Sequence, residues 1–162
     1  MKISLKEVAE SEKTTLQNLY ALYLHDLSKY TDNIDIDENG LFQYEDIHLF
    51  WTTEGIAPYF IMLNGRIAGF LLLLERPFLT KENDFGINDI FILNKYKGKG
   101  LGFKAIELLF ENKKGQYFVM EMVSNIRAVS FWRKVFKELN INYNERQQQI
   151  DNESCVIQTF TV

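Results

Sequence analysis

The sequence is poor in the residues that build stapled, metal-dependent or disordered proteins. It has one cysteine, two histidines and two prolines among 162 residues. Cys155 alone cannot form an internal disulfide, and it has no metal-ligand spacing with His25 or His48, so no metal site is expected. With 46% hydrophobic residues and no low-complexity tract, residues 1–162 are predicted to form a single domain with one core.

Long apolar runs and an excess of positive charge are also missing. The longest apolar run, Phe70–Leu74, is far shorter than the ~20 residues that a bilayer-crossing helix needs. The first residues, Met1–Glu7, carry charges where a signal peptide needs an apolar stretch. The formal net charge of −4 argues against binding to nucleic acid, which is held mainly by surplus Lys and Arg. The sequence therefore predicts a cytoplasmic, soluble protein that binds neither membranes nor nucleic acid.

The hydrophobic periodicity predicts an α/β protein with a mixed sheet. Asn64-Gly65 lies between two apolar runs and supplies the positive φ of a type I′ turn, which predicts a β-hairpin. Apolar residues at three- and four-residue steps predict helices over 98–111 and 125–139. The other predicted elements are helices over 11–27 and 44–51 and strands near 3–8, 85–93, 116–123, 141–146 and 155–161. This order of elements is typical of an α/β sandwich.

The glycine-rich segment 97–102, Lys-Gly-Lys-Gly-Leu-Gly, lies between a predicted strand and a predicted helix. Glycines let backbone N–H groups approach an anion, and the helix N-terminus adds the positive end of its dipole. The segment therefore predicts a site for a phosphate-bearing ligand. It is not a Walker A loop, which needs Gly-Lys-Ser/Thr, and Phe103 replaces the third glycine of the dinucleotide fingerprint. Further positive charge in this acid-free stretch comes from Lys95 and Lys104.

Two segments together resemble motifs of the GNAT N-acetyltransferases. Asn88–Leu93 followed by Tyr96–Gly102 resembles motif A, with Lys97 where Arg or Gln is usual. Asn125–Trp132 resembles motif B, and its Phe131-Trp132 pair is similar to a subgroup of the family. The resemblance implies a three-layer α/β/α sandwich. Its mixed, mostly antiparallel sheet would be splayed at two central parallel strands, here 85–93 and 116–123.

The resemblance also implies acetyl-CoA as the acyl donor, with no metal. Backbone groups of Ile90, Phe91 and Ile92 would hold the pantetheine arm and polarise the thioester carbonyl. Asn125 would touch the cofactor near its thiol. The pyrophosphate would be held by Lys97, Gly98, Lys99, Gly100, Leu101, Gly102 and Phe103.

The implied activity is direct transfer of an acetyl group to a primary amine of a small molecule or peptide within a ternary complex. A base must deprotonate that amine. Asn88 stands where several relatives carry a Glu, and Trp132 where many carry a Tyr acid, and neither side chain can serve in acid–base chemistry. Asp89 is therefore the predicted catalytic base, with Glu121 second. The alternative is an acyl-CoA-binding module with little or no turnover.

The acceptor side carries no diagnostic motif. His25, Asp26 and Tyr30 are predicted either to line the acceptor pocket or to form an exposed helix end. The acidic loop 32–38 hints at a cationic acceptor, although such loops are usually just solvated. The sequence leaves open a homodimer formed through the C-terminal strands.

Overall fold

The computed structural model describes all residues from Met1 to Val162. Single 3-10 turns precede the first and third helices. The seven strands are β1 (Ile3–Glu7), β2 (Ile56–Leu63), β3 (Arg66–Glu75), β4 (Phe85–Ile92), β5 (Gln116–Met122), β6 (Tyr143–Ile150) and β7 (Glu153–Thr161). The four helices are α1 (Lys13–Leu27), α2 (Leu49–Thr52), α3 (Leu101–Asn112) and α4 (Ile126–Glu138).

The strands form one mixed sheet in the order β1-β2-β3-β4-β5-β7-β6. Every neighbouring pair is antiparallel except β4 and β5. These two parallel strands pair only from Phe85 to Ile87, opposite Tyr117 to Val119. Both strands continue beyond this point without pairing to each other. The predicted splay of the central parallel strands is therefore confirmed.

Helices cover both faces of the sheet, as the predicted three-layer sandwich requires. On one face, Tyr20 of α1 and Phe50 of α2 pack with Phe70 of β3 in one buried cluster. On the other face, Ile106 of α3 and Trp132 of α4 belong to a larger cluster that includes residues of β2 to β5 and β7. The sheet thus separates two cores, and each helix contributes its apolar stripe to one of them.

A β-bulge in β4 decides which core its side chains enter. Leu72 of β3 lies opposite Asp89 and Leu73 opposite Ile87, so Asn88 is an extra residue without a partner. Because side chains alternate along a strand, one extra residue moves all later side chains to the other face. Ile87 belongs to the core under α3 and α4, whereas Asp89 points toward α1, where two of its tyrosines bind it.

Local turn chemistry explains where the elements begin. The predicted hairpin is confirmed, with φ of 50° at Asn64 and 79° at Gly65. The predicted helix start at 98 is wrong, because Gly98 and Gly100 have φ of 77° and 74°, which a right-handed helix does not allow.

The predictions for the first two helices are also wrong in their bounds. α1 starts at Lys13, since Ser11 lies in the preceding 3-10 turn. The helix predicted over 44–51 is reduced to the four residues of α2, preceded by turns at 45–48. None of the helices combines the length and apolar character needed to cross a bilayer.

Candidate active site

A cleft of about 900 Å³ lies beside the diverging half of β4. Its walls are the end of α1, residues 90–92 of β4, the start of α3 and the inner side of α4. Every residue predicted to bind the cofactor lines this cleft except Lys99. A second cavity of about 1010 Å³ at the other end of the sheet contains none of the predicted site residues.

The glycine loop presents unbonded backbone donors to the cleft. No backbone N–H group from Gly98 to Phe103 donates to another group of the chain. A methyl group added at Gly98 or Gly100 would meet no atom within 4 Å, so the space above the loop is open. Free N–H groups at the start of a 12-residue helix form an anion site, and the loop therefore fits a pyrophosphate group.

Lysine side chains surround this loop. The Lys97 ammonium lies 3.3 Å from Oδ2 of Asp26, which joins the loop to the end of α1. The ammonium groups of Lys95 and Lys99 lie 5.1 and 5.8 Å from the centre of the Tyr96 ring. Of the lysines predicted from the sequence, only Lys97 lines the cleft, and positive charge beside the loop favours an anionic ligand.

The first turns of α4 form the opposite wall. Asn125 caps this helix, because its side-chain oxygen accepts the backbone N–H of Ala128 at 3.2 Å. Trp132 is only 4% exposed, and its indole N–H donates to no group of the chain. The Ser124 hydroxyl donates to the backbone carbonyl of Tyr30 at 3.1 Å. This bond ties the start of α4 to the segment after α1 across the cleft.

The Asp89 carboxylate is held by three donors on the α1 face of the sheet. Oδ2 accepts the hydroxyl of Tyr20 at 2.9 Å and the amide of Asn88 at 3.0 Å, and Oδ1 accepts the hydroxyl of Tyr23 at 3.0 Å. Burial raises the pKa of Asp89, while the three hydrogen bonds oppose that rise. Burial and the neighbouring carboxylate raise the pKa of both tyrosines well above the usual value, so both remain donors.

Tyr23 connects this carboxylate to the cleft, because it lines the cleft and also donates to Asp89. The sequence predicts the helix that carries Tyr20 and Tyr23 but not their contact with Asp89. The available signal was their three-residue spacing, which places two hydroxyls on one helix face. Neither of the two bases predicted from the sequence, Asp89 and Glu121, lines the cleft itself.

The residues predicted for the acceptor side lie in different places in the structure. His25, Asp26 and Tyr30 all line the cleft. In the acidic loop, Asp37 instead organises a turn, since its Oδ1 accepts the backbone N–H groups of Asn39 and Leu41 at 2.8 and 3.0 Å.

Comparison with known proteins identifies the class to which this fold and this cleft belong. Residues 16–136 match the acetyltransferase (GNAT) family. The chain belongs to the GNAT acetyltransferase family. No curated protein matches it in sequence.

Solved structures share the whole fold at low sequence identity. An acetyltransferase from Thermus thermophilus is 14% identical with a TM-score of 0.71, and the match covers 100% of this chain and 98% of that one. An aminoglycoside acetyltransferase in complex with coenzyme A and kanamycin is 19% identical, with a TM-score of 0.67 and coverage of 99% and 95%. A ribosomal-protein alanine N-acetyltransferase from Escherichia coli is 13% identical, with a TM-score of 0.61 and coverage of 99% and 94%.

Proposed function

We propose that the protein is an acetyl-CoA-dependent N-acetyltransferase. It moves the acetyl group directly to a primary amine of a small molecule or peptide in a ternary complex. The observation that carries this proposal is the row of unbonded N–H groups from Gly98 to Phe103 at a cleft beside two diverging parallel strands. When bound, acetyl-CoA supplies an acetyl group activated as a thioester.

The chain offers binding groups along the whole cleft. The loop amides would hold the pyrophosphate, with Lys97 and Lys99 adding positive charge. Beyond Ile87, β4 has no partner on its β5 side, so backbone groups of residues 90–92 on that edge are free for the pantetheine amides. Asn125 and Trp132 would stand near the thiol end, since both line the wall opposite β4.

Asp89 is the proposed base for the acceptor ammonium, acting through the hydroxyl of Tyr23, which would pass its own proton to Asp89 and take one from the ammonium. Burial raises the pKa of Asp89, which makes it a better proton acceptor than an exposed aspartate, and Tyr23 both donates to its carboxylate and lines the cleft. The deprotonated amine nitrogen would attack the thioester carbonyl carbon, the carbon–sulfur bond would break, and the electron pair would leave on sulfur. The unbonded indole N–H of Trp132 can donate a hydrogen bond to that thiolate.

A second candidate function is acyl-CoA binding without turnover. The observation that favours it is that three donors already occupy Asp89. Asn88 cannot take a proton, and Trp132 cannot supply one. Calorimetric titration with acetyl-CoA, followed by measurement of thiol release with a panel of amines, separates the two candidates. The panel includes aminoglycosides, polyamines and peptides with a free N-terminal alanine.

The cofactor assignment predicts that Gly100→Glu abolishes acetyl-CoA binding. The new carboxylate would enter the open space above the loop and meet the pyrophosphate. Repulsion of like charges about 4 Å apart near a protein surface costs roughly 4 kcal/mol. We therefore expect the dissociation constant measured by calorimetry to rise at least about 100-fold.

Gly65→Glu is the matched control for backbone strain. Gly65 has φ of 79° against 74° at Gly100, and a side chain there also meets nothing within 4 Å. Both variants should lose similar stability, but only Gly100→Glu should lose binding. Unchanged affinity in Gly100→Glu would overturn the cofactor site, and binding without amine-dependent thiol release would favour the second candidate.

A further inference from the structure

The acceptor atoms of Glu121 and Gln158 are buried beneath α4 without donors. Val119 of β5 belongs to the core that includes α4 residues, and strand alternation places Glu121 on the same face. Glu121 is 6% exposed and Gln158 is fully buried. Both carboxyl oxygens of Glu121 and Oε1 of Gln158 have no hydrogen-bond partner. All three atoms are acceptors if the carboxyl is ionised, so none can satisfy another.

The sheet register brings these two side chains together. Val119 pairs with Gln158 and Glu121 pairs with Val156, so Glu121 and Gln158 are diagonal neighbours on one face. Diagonal neighbours in an antiparallel pair lie about 7–8 Å apart. That separation is within reach of two long side chains, so a proton on Glu121 would supply the donor that Gln158 lacks.

The rest of a hydrogen-bond chain to α4 is already present. Nε2 of Gln158 donates to Oε1 of Glu145 on β6 at 2.8 Å. Arg133 of α4 donates to both oxygens of Glu145, from Nε at 3.2 Å and from Nη2 at 2.8 Å. This chain of hydrogen bonds therefore runs from β7 through β6 to the outer side of α4. The link from Gln158 to Glu121 on β5 is the one that lacks a donor.

We propose that Glu121 is a neutral carboxylic acid that donates a hydrogen bond to Oε1 of Gln158 and thereby positions α4. The same helix carries Asn125 and Trp132 into the cleft. The expected effect on acetyl-CoA affinity rests on the proposed function, whereas the protonation of Glu121 does not.

The charges around Glu121 favour the neutral form. Burial and the charge of Glu145 raise the pKa of Glu121 to about 8, and Arg133 opposes that rise. Arg133 is already engaged by Glu145. Of the other titratable groups, Tyr143 lies on β6 beside Arg133, and Cys155 belongs to the opposite face. A water molecule could donate to two of the three oxygens, but it would leave a buried charge without a counter-ion.

The test uses Glu121→Gln, which replaces a titrating donor by an amide donor that does not titrate. From the ordinary Glu value of 4.5 to about 8, the folded wild type keeps a proton that the unfolded chain releases. The stability of the wild type therefore falls as pH rises through this range, and its unfolding constant increases by up to about tenfold per pH unit relative to the variant. Urea unfolding of both proteins at several pH values measures the difference.

Acetyl-CoA titration supplies a second measurement on the folded proteins. We expect equal affinities near neutral pH. At about pH 9 the wild type should bind about tenfold more weakly than Glu121→Gln, because only about a tenth of it keeps the proton. A carbon NMR titration of the Glu121 carboxyl in the wild type needs no variant and should show a midpoint near 8.

The outcomes separate this proposal from the proposed function. If stability depends on pH in the same way in the two proteins, or if the NMR midpoint lies at the ordinary Glu value, the proposal that Glu121 is neutral is refuted. Equal affinities at alkaline pH would overturn its positioning role. If Glu121 shows the expected titration but the protein binds no acetyl-CoA at any pH, the neutral state of Glu121 is supported and the proposed function is refuted.

Discussion

Two carboxyl groups, one on each face of the sheet, have opposite surroundings. Asp89 on β4 faces α1 and accepts hydrogen bonds from Tyr20, Tyr23 and Asn88. Glu121 on the neighbouring β5 faces α4 and accepts none. Both lie beyond the last paired residues of the splayed parallel strands, so the difference does not come from their place along the sheet.

The comparison indicates that hydrogen-bond donors favour the charged form of a carboxyl, which burial disfavours. Burial raises the pKa of both groups, but hydrogen bonds from neighbouring side chains lower that of Asp89. For Glu121, the interaction that lowers the pKa is with the positive charge of Arg133, which also forms an ion pair with Glu145. Two carboxyls with different surroundings are suited to different roles. Here Asp89 is the proposed base and Glu121 the proposed structural acid.

We expect the largest effect on turnover from removing the charge of Asp89, which Tyr20, Tyr23 and Asn88 stabilise by hydrogen bonds. Asp89→Asn should lower turnover by at least about 100-fold, since a positioned base contributes 10²–10⁴-fold, roughly, to such reactions. Acetyl-CoA affinity should stay within about twofold, because Asp89 does not line the cleft. Steady-state rates with the best amine and calorimetric titration measure the two quantities.

Asp84→Asn is the matched control, because Asp84 directly precedes the same strand and lies in a partly exposed ion pair with Arg76. It should leave the rate unchanged. Wild-type turnover of Asp89→Asn across the pH range would remove Asp89 as the base and favour the binding module.

The features that could be predicted from the sequence are those set by neighbours along the chain. The Asn64-Gly65 hairpin and the Asn125 cap depend on residues within one turn, and the loop glycines at 98 and 100 adopt the positive φ that glycine permits. The splay was implied by the family resemblance and is visible in the pairing of β4 with β5. Local chemistry therefore predicted the glycine loop, and the cleft lies beside it.

The features that could not be predicted depend on tertiary contacts. Tyr20 and Asp89 are 69 residues apart in sequence, and they meet because the bulge at Asn88 turns Asp89 toward α1. Nothing in the local sequence marks that bulge, and without it Asp89 would point into the other core. The environment of Glu121 likewise depends on Gln158, which strand order alone brings beside it.

A smaller effect is expected from removing one buried donor. Tyr20→Phe deletes a hydrogen bond that lowers the pKa of Asp89, so that pKa should rise and the acid limb of the pH–rate profile should move to higher pH. Stability should fall by about 1–3 kcal/mol, the usual cost of leaving a buried polar group with one partner fewer. Tyr117→Phe is the control, since this equally buried tyrosine donates to the backbone carbonyl of Lys113. It should lose stability without moving the acid limb.

The smallest effect is expected at the exposed donor. Asn88→Ala removes the amide that donates to Oδ2 of Asp89 at 3.0 Å, but Asn88 is exposed and water can replace its bond. Stability should change by less than about 1 kcal/mol. The acid limb should move in the same direction as in Tyr20→Phe but by less, because water donates less favourably than a fixed amide. Urea unfolding and pH–rate profiles of the two variants give the order directly. A larger shift for Asn88→Ala than for Tyr20→Phe would mean that the bulge residue, rather than the tyrosines of α1, sets the charge of Asp89.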